Sequence, residues 1–579
     1  MKKTRRLAFQ IDASAALLTR LSHGLTARLM LTPPMRGLWI GAGGPLNLFY
    51  PATLLPGDAV RGELWLAGDY TLPGALIRDA NASNGPFAVT PPNMRWQASL
   101  HGFDFIIDLL AVQGESGRQA ARAALLDWVH GPYLTRPALM EPSIVGRRLS
   151  RWLMAIGVLQ EGFDSHDMVR LQNSFVAQSR WLSRHWQKSE DGVARLTAIC
   201  GLALAGLAVS DDGRILRRGM DGLMRELRRQ ILPDGGHISR APSVLIHILA
   251  DLIALENGLA ARQITPPAQF AETIKRMQSM LSLLRLSNGE LACFHGGLST
   301  STASVDAVLP RRRTAGKMSF AQKSGYQRLE AGQSCLLIDT GNPPAGSASR
   351  VAHAAPLAFE MSYAGDKFIT NCGPNLVHGE DWQLAARGLP AHTTLAFERD
   401  VINPFLRHGF AARQLGARLK PLDWQVHNRR VEDKTGTWLE MSHAGFVASH
   451  GVRHNRRFFI DALGEDIRGE DLLLADMTHV AREGARFHLR FHLHPDIRAT
   501  EQTGGNNVLL LGRSGHGFQF RMAGPPGSTH LRIEESVYMG RDGIPQRSQQ
   551  LAIYGVLGHA DTLIQWALRY AGKSQKPRA

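Results

Sequence analysis

The chain has 579 residues, 44% of them hydrophobic and 20% charged, which excludes a disordered or fibrous class and leaves room for about two to four domains with cores of their own. The formal charge is +16, so an acidic partner is expected (polyanionic glycan, nucleic acid or anionic lipid), the plainer alternative being arginines that decorate solvated helix faces. Cys200, Cys293, Cys335 and Cys372 are the only cysteines and are far apart, which excludes a disulfide framework and a cysteine-rich zinc site.

The start, MKKTRRLAFQIDASAALLTRL, is basic, but Gln10 and Asp12 interrupt its apolar stretch and no small-residue cleavage site stands out. It predicts no signal peptide, which favours the cytoplasm, with the periplasm as the alternative. Residues 1–110 hold Gly/Pro turns such as PGDAVRGELWLAGDYTLPG and few long helical patterns, and predict a mixed segment packed on a helical domain.

Over 111–315, successive runs of helical period predict an (α/α) toroid of helical hairpins, turns recurring roughly every 30 to 45 residues. The runs begin at RQAARAALLDWVHGPY and end at FAETIKRMQSMLSLLRL. In RILRRGMDGLMRELRRQIL, Leu216, Met220, Leu223, Leu227 and Ile231 share one face. In PSVLIHILADLIALENG, Pro242 suits the first turn and Gly258 the C-cap. The longest nearly apolar run, 196–209, has 14 residues, too short to span a bilayer, so no transmembrane segment is predicted. Between two runs lies LPDGGHISRAPS (232–243), a turn that sets His237 and Arg240 three residues apart.

After LPRRRTAGK (309–317) the apolar period switches to two, and a large antiparallel β-sandwich is predicted over 316–579. LAFEMSY, AGD and KFITNCG read as a hairpin. RFHLRFHLHP sets His488, Arg490, His492 and His494 on one face, expected to be solvated. RHNRRFF (453–459) is a basic strand end whose Arg456 and Arg457 are expected to line a cleft between the two halves. Cys293 precedes a predicted HGG turn and has no electropositive neighbour that would make it reactive. Phosphate-binding loops, dinucleotide fingerprints, serine elbows and H-E-x-x-H motifs do not occur.

VAHAAPLAFEMSYAGDKFITNCG (351–373) resembles a strand pair of the form H-x-H-x-D…F…G…D-x-G, with Val351 at its first His and Asn371 at the Asp of D-x-G, and ARGLPAHTTLAFE (386–398) resembles an A-H-N-T-L segment. With DGGHISRAPS at the place of a D-G…E-x-S-x-x-Y turn, residues 120–575 resemble the heparinase II/III family of polysaccharide lyases. The resemblance implies β-elimination on an acidic, uronate-containing glycan. A base takes the proton beside the carboxylate and the sugar on the next carbon leaves. The site must then neutralise the carboxylate, stabilise the enolate and protonate the leaving oxygen.

The Asn or Gln, Tyr and His that such enzymes use depart here. The expected Asn-His pair falls at Val193-Ala194, with Arg195 the nearest polar group, and the Tyr at about Val244; no tyrosine lies between Tyr133 and Tyr326. An altered device is expected, in which Arg195 and Arg240 grip the carboxylate, His237 exchanges the proton, and His353, Arg456 and Arg457 add substrate contacts. The alternative for the turn is a capping histidine and an arginine paired with an aspartate such as Asp234.

In zinc-containing members, the second His, the Asp and the later His bind a structural metal; the matching positions are His353, Asn371 and His392. An amide in place of a carboxylate weakens such a site, so a hydrogen-bonded histidine pair is the plainer expectation. The elimination itself requires no cofactor. The expected function is a lyase-like protein acting on an acidic polysaccharide, the alternative a non-catalytic glycan-binding or scaffolding protein on the same fold. Nucleic-acid binding comes last, since no module or aromatic-basic interleaving supports it.

Overall fold

The computed structural model describes residues 2–40, 46, 55–78, 85–310, 318–398, 405–559 and 561–573. The boundary expected at residue 315 lies outside them.

The helices are α1 (Lys2–Met30), α2 (Pro33–Ile40), α3 (Ala59–Leu66), α4 (Met94–His101), α5 (Ile106–Ala111), α6 (Ser116–His130), α7 (Pro142–Leu159), α8 (Ser165–His185), α9 (Val193–Ala208), α10 (Arg214–Gln230), α11 (Pro242–Ala261), α12 (Ala268–Leu283) and α13 (Thr302–Val308), followed by three short ones in the sandwich half. Local chemistry sets several starts. Asp58 caps α3, Asn93 caps α4, and the Glu141 carboxylate caps α7 by accepting from the N–H groups of Ser143 and Ile144, with Pro142 in the first turn. The seven predicted helical runs all form, as α6 to α12, and pack as successive hairpins. Gly258 does not end α11: it is buried within the helix, which runs on to Ala261. By length and composition α11 could cross a membrane, but 56% of its apolar window is buried inside the protein, beside α9 and α12.

The first 110 residues hold more helix than their texture predicts, above all the 29-residue α1. This helix does not pack on the helical half alone. It touches the turns 137–140 and 186–188 of that half, and the turn Gly346–Arg350 and helix Gly409–Leu415 of the other. Lys188 Nζ donates to Thr26 Oγ1 at 2.6 Å, and the Arg20 guanidinium donates to the Gln414 carbonyl. α1 is thus a strap across the seam.

The strands are β1 (Asp69–Leu72), β2 (Ala75–Arg78), β3 (Phe320–Ala321), β4 (Tyr326–Ala331), β5 (Ser334–Asp339), β6 (Phe359–Tyr363), β7 (Asp366–Thr370), β8 (Leu395–Phe397), β9 (Val426–Glu432), β10 (Gly436–His443), β11 (Val452–Asp461), β12 (Asp466–Ala475), β13 (Arg486–Leu493), β14 (Arg498–Glu501), β15 (Asn507–Leu511), β16 (His516–Ala523), β17 (Thr529–Tyr538), β18 (Gln546–Val556) and β19 (Thr562–Lys573). β3 to β19 build two antiparallel sheets, ordered β14-β15-β16-β19-β12-β11-β10-β9 and β17-β18-β13-β7-β6-β5-β4-β3, with β8 added to β13. Between them Phe359 meets Phe458 and Trp566, and Phe491 meets Phe520, so alternate residues of both sheets fill one aromatic core. The fold is therefore a helical toroid followed by an antiparallel β-sandwich.

The β13 face expected in solvent is covered. His488 and His492 are buried, and His492 bonds the Pro390 carbonyl and Ser536 Oγ, each at 2.9 Å.

Candidate functional site

The turn 232–243 meets the sandwich and is spent there. Asp234 accepts from the N–H groups of Lys323 and Ser324 and from Ser324 Oγ, so it does not pair with Arg240. Arg240 has a positive φ of 57° and drives its guanidinium into the seam. There it donates to the carbonyls of Ser324 (2.6 Å), Asn342 (2.8 Å) and Gly325 (2.9 Å), pairs with Asp339, and lies over the Tyr326 ring. His295 Nε2 holds the second Asp339 oxygen at 2.8 Å. Burial would raise the Asp339 pKa, but Arg240 and His295 bring it down to about 2.

His237 is also interior. Its Nδ1 accepts from the Ser239 N–H (3.0 Å) and meets Ser239 Oγ, while Nε2 reaches Gln230 Oε1 at 3.0 Å. Burial lowers its pKa to about 4, so it is neutral at pH 7. Arg195 donates to the Ser189 carbonyl through Nε and Nη2, and its Nη1 lies 3.5 Å from Asp191. The three residues expected to converge on a substrate thus fasten turns instead: His237 and Arg240 point into dry interior, and Arg195 closes the loop before α9.

The β-half candidates separate in the same way. Arg456 is fully buried on the inner face of β11, bonded to Asp471 and to the carbonyls of Leu357 and Thr393. Arg457 points outward and pairs with Glu440 and Glu470, each at 3.1 Å. Neither lines a cleft. Cys293 is buried and its thiol is pushed up to about 12, despite nearby Lys367.

His353 and His392 are both buried with ring centroids 4.3 Å apart and planes tilted by 41°, but they are not the expected hydrogen-bonded pair, since no hydrogen bond joins them. Both nitrogens of His353 face backbone N–H donors, of His295 at 3.1 Å and of Gly296 at 2.8 Å. Asn371 turns its oxygen to the Thr393 N–H (3.0 Å) and its amide to Glu360 (3.2 Å). A zinc ion needs lone pairs aimed at one point. Here those of His353 and Asn371 are engaged elsewhere and the anionic ligand is missing, so the set does not fit zinc.

That leaves the mouth of the toroid. The first turns of α7, α9 and α11 gather at the seam. Glu141 accepts from Ser189 Oγ at 2.7 Å, Glu190 bridges Arg350 (2.9 Å) and Arg418 (2.7 Å), and Ser243 Oγ accepts from the Leu298 N–H. The half-buried residues in these turns include Val193, Ala194 and Val244, which hold no polar side chain. Further along the same helices, Arg147 and Arg151 of α7 and His247 and Asp251 of α11 lie near enough to influence one another's charge. The sequence reading missed them. Their signal was polar residues four apart interrupting otherwise apolar helices.

Residues 313–573 match the family described as heparinase II/III-like, C-terminal. FtsZ-localized protein C of Caulobacter vibrioides is 32% identical over 477 residues, which cover 80% of this chain and 81% of that protein. A crystal structure of heparinase III superposes with a TM-score of 0.68 at 14% identity, over 91% of this chain and 86% of that one. Heparan sulfate lyase HepC from Pedobacter heparinus gives 0.57 at 14% identity, over 95% and 89%. At such identities the likeness to the two lyases is one of fold.

Proposed function

The chain belongs to the heparinase II/III family, and from that membership we propose that it keeps the lyase fold without lyase chemistry and works as a scaffold placed together with FtsZ, as the name of its 32%-identical relative says of that protein. The observation that carries this reading is the mouth of the toroid. Val193, Ala194 and Val244 stand where the family's amide, histidine and tyrosine are expected, and His237, Arg240 and Arg195 are consumed by internal bonds. An elimination site lives on donors held free for the developing enolate, and losing one such donor typically costs about 100-fold to 1000-fold in rate.

A second feature supports the scaffold reading. On the outer side of the α1 strap, Leu18, Leu21, Leu25 and Leu29 are all more than half exposed and follow one another at helical spacing. A row of this kind is the surface a partner covers.

The test pairs two measurements. Incubation with a panel of acidic polysaccharides should give no rise in the ultraviolet absorbance of an unsaturated uronate. Polymerised FtsZ should pellet the protein, and the Leu21→Glu, Leu25→Glu double variant should stay in the supernatant. An absorbance rise that His237→Ala abolishes restores the lyase reading, and failure of the intact protein to pellet removes the scaffold one.

A further inference from the structure

A cavity of about 310 Å³ lies between α3, β1, α5 and α6, and none of its described lining residues comes from α7, α9, α11 or the sandwich. On α6, Ala120, Ala123, Ala124 and Asp127 follow the spacing of one helix face. The alanines are too short to fill the space beside them, and the cavity forms there. Its other walls are aromatic: the Trp65 ring stacks on Phe105 with centroids 4.3 Å apart and planes at 8°, and lies 4.8 Å from Tyr70. Small-molecule sites are of this kind, about 300–1,000 Å³ of mostly apolar wall with a few polar groups.

Two polar groups of this lining are unspent. Trp65 is 5% exposed, and its Nε1 is buried without a hydrogen-bond partner. A buried indole N–H ordinarily finds an acceptor. Asp127 stands at the exposed rim and is the single charged residue among those that line the cavity. Partial burial raises its pKa, and His130 is the charged neighbour that opposes the rise. On a chain of charge +16, this lining holds a carboxylate and neither lysine nor arginine to answer it.

We propose that this cavity binds a small organic amine with an aromatic or apolar body and one acceptor oxygen. The ammonium pairs with Asp127, the body packs against Trp65, Tyr70 and Phe105, and the oxygen accepts from the Trp65 Nε1–H. Aromatic rings suit such a ligand twice over, since they bury its apolar body and their faces attract its cation. An anion of the same shape would bring its charge to an unanswered carboxylate. The cavity shares no residue with the seam or with the α1 leucines, so the proposal stands whether or not the molecule travels with FtsZ.

Calorimetric titration of the full chain with tyramine, which carries all three parts, tests it. Tyramine should bind saturably with one site per chain. Phenethylamine, which lacks the oxygen, should bind more weakly, and 4-hydroxyphenylpropionate, which reverses the charge, should not bind. Asp127→Asn should weaken tyramine binding at least about tenfold, the worth of one charge-assisted hydrogen bond. Ala123→Leu, which narrows the cavity from an exposed position, should weaken it as well, while Asp212→Asn, an exposed carboxylate before α10, should leave it unchanged. The proposal is overturned if tyramine does not bind, if either of the other two compounds binds as tightly, or if Asp127→Asn and Ala123→Leu bind like the intact protein.

Discussion

Arg240 owes its position to contacts that no local pattern announces. Its backbone is left-handed, its guanidinium is bonded to three carbonyls, and its counterion, Asp339, comes from the end of β5. Removing it leaves Asp339 buried with only the His295 ring, whose pKa burial lowers, and the Gly341 N–H to hold its charge, and breaking such a pair costs about 3–5 kcal/mol. Arg240→Ala is therefore expected to lower the urea midpoint strongly. Arg240→Lys should recover little of it, since an ammonium cannot span three carbonyls and a carboxylate. A midpoint unchanged in Arg240→Ala would remove the turn from the interface account. The sequence displayed the imidazole and the guanidinium but not their partners. A polar pair in a turn between apolar helices reads equally as a catalytic device or as a pin, and only the side chains brought to it from Gln230 and Asp339 decide.

At the scale of elements, the toroid rests on helices that approach closely through small residues. A side chain at Gly201 of α9 would overlap the backbone of Gly146 on α7, one at Gly146 would strike Ala198, and one at Gly219 of α10 would strike Ala203. Alanine in place of helical glycine ordinarily stabilises by about 1 kcal/mol, so the sign of the change reports packing. Gly201→Ala should destabilise by about 1–3 kcal/mol, whereas Gly24→Ala on α1, with nothing within 4 Å, should stabilise. Equal shifts in thermal midpoint for the two would contradict the close approach.

Helices α6 to α12 were readable because each hides an apolar stripe or, as in α9 and α11, is apolar over most of its surface. α1 was not, because its apolar residues are shared between two faces: Leu17 and Ala27 toward the seam, and the leucine row outward. The covered face of β13 escaped for a related reason. Alternation shows which residues share a face of a sheet, not whether a segment distant in sequence, such as 389–392, will lie over it.

Across the whole molecule, acid should act on buried imidazoles. Burial lowers His101 to about 3, with Arg148 adding to the effect, and brings His237 and His492 each to about 4. An unfolded histidine titrates near 6.5. Below that pH the unfolded chain binds three protons that the folded chain refuses until about pH 4, so stability falls as pH drops through this window, by about 1.4 kcal/mol per unit for each group. Asp251 works in reverse. Its folded carboxyl takes a proton near pH 6, well before the unfolded one, and so offsets at most one of the three. For these four groups alone the loss between pH 7 and pH 5 is on the order of 4 kcal/mol, a large part of an ordinary folding free energy, and His247, His392 and His494, which burial also lowers, act in the same direction. Added protons also increase the self-repulsion of a chain already at +16, but salt screens that contribution and leaves buried groups nearly untouched. The urea midpoint measured in high salt should therefore still be clearly lower at pH 5 than at pH 7. His237→Gln, which retains a donor for Gln230 without a titrating ring, should lose part of that difference. Equal midpoints at the two pH values in high salt would mean that these imidazoles are reached by water in the folded chain, and that the turn carrying His237 is not the closed joint its hydrogen bonds describe.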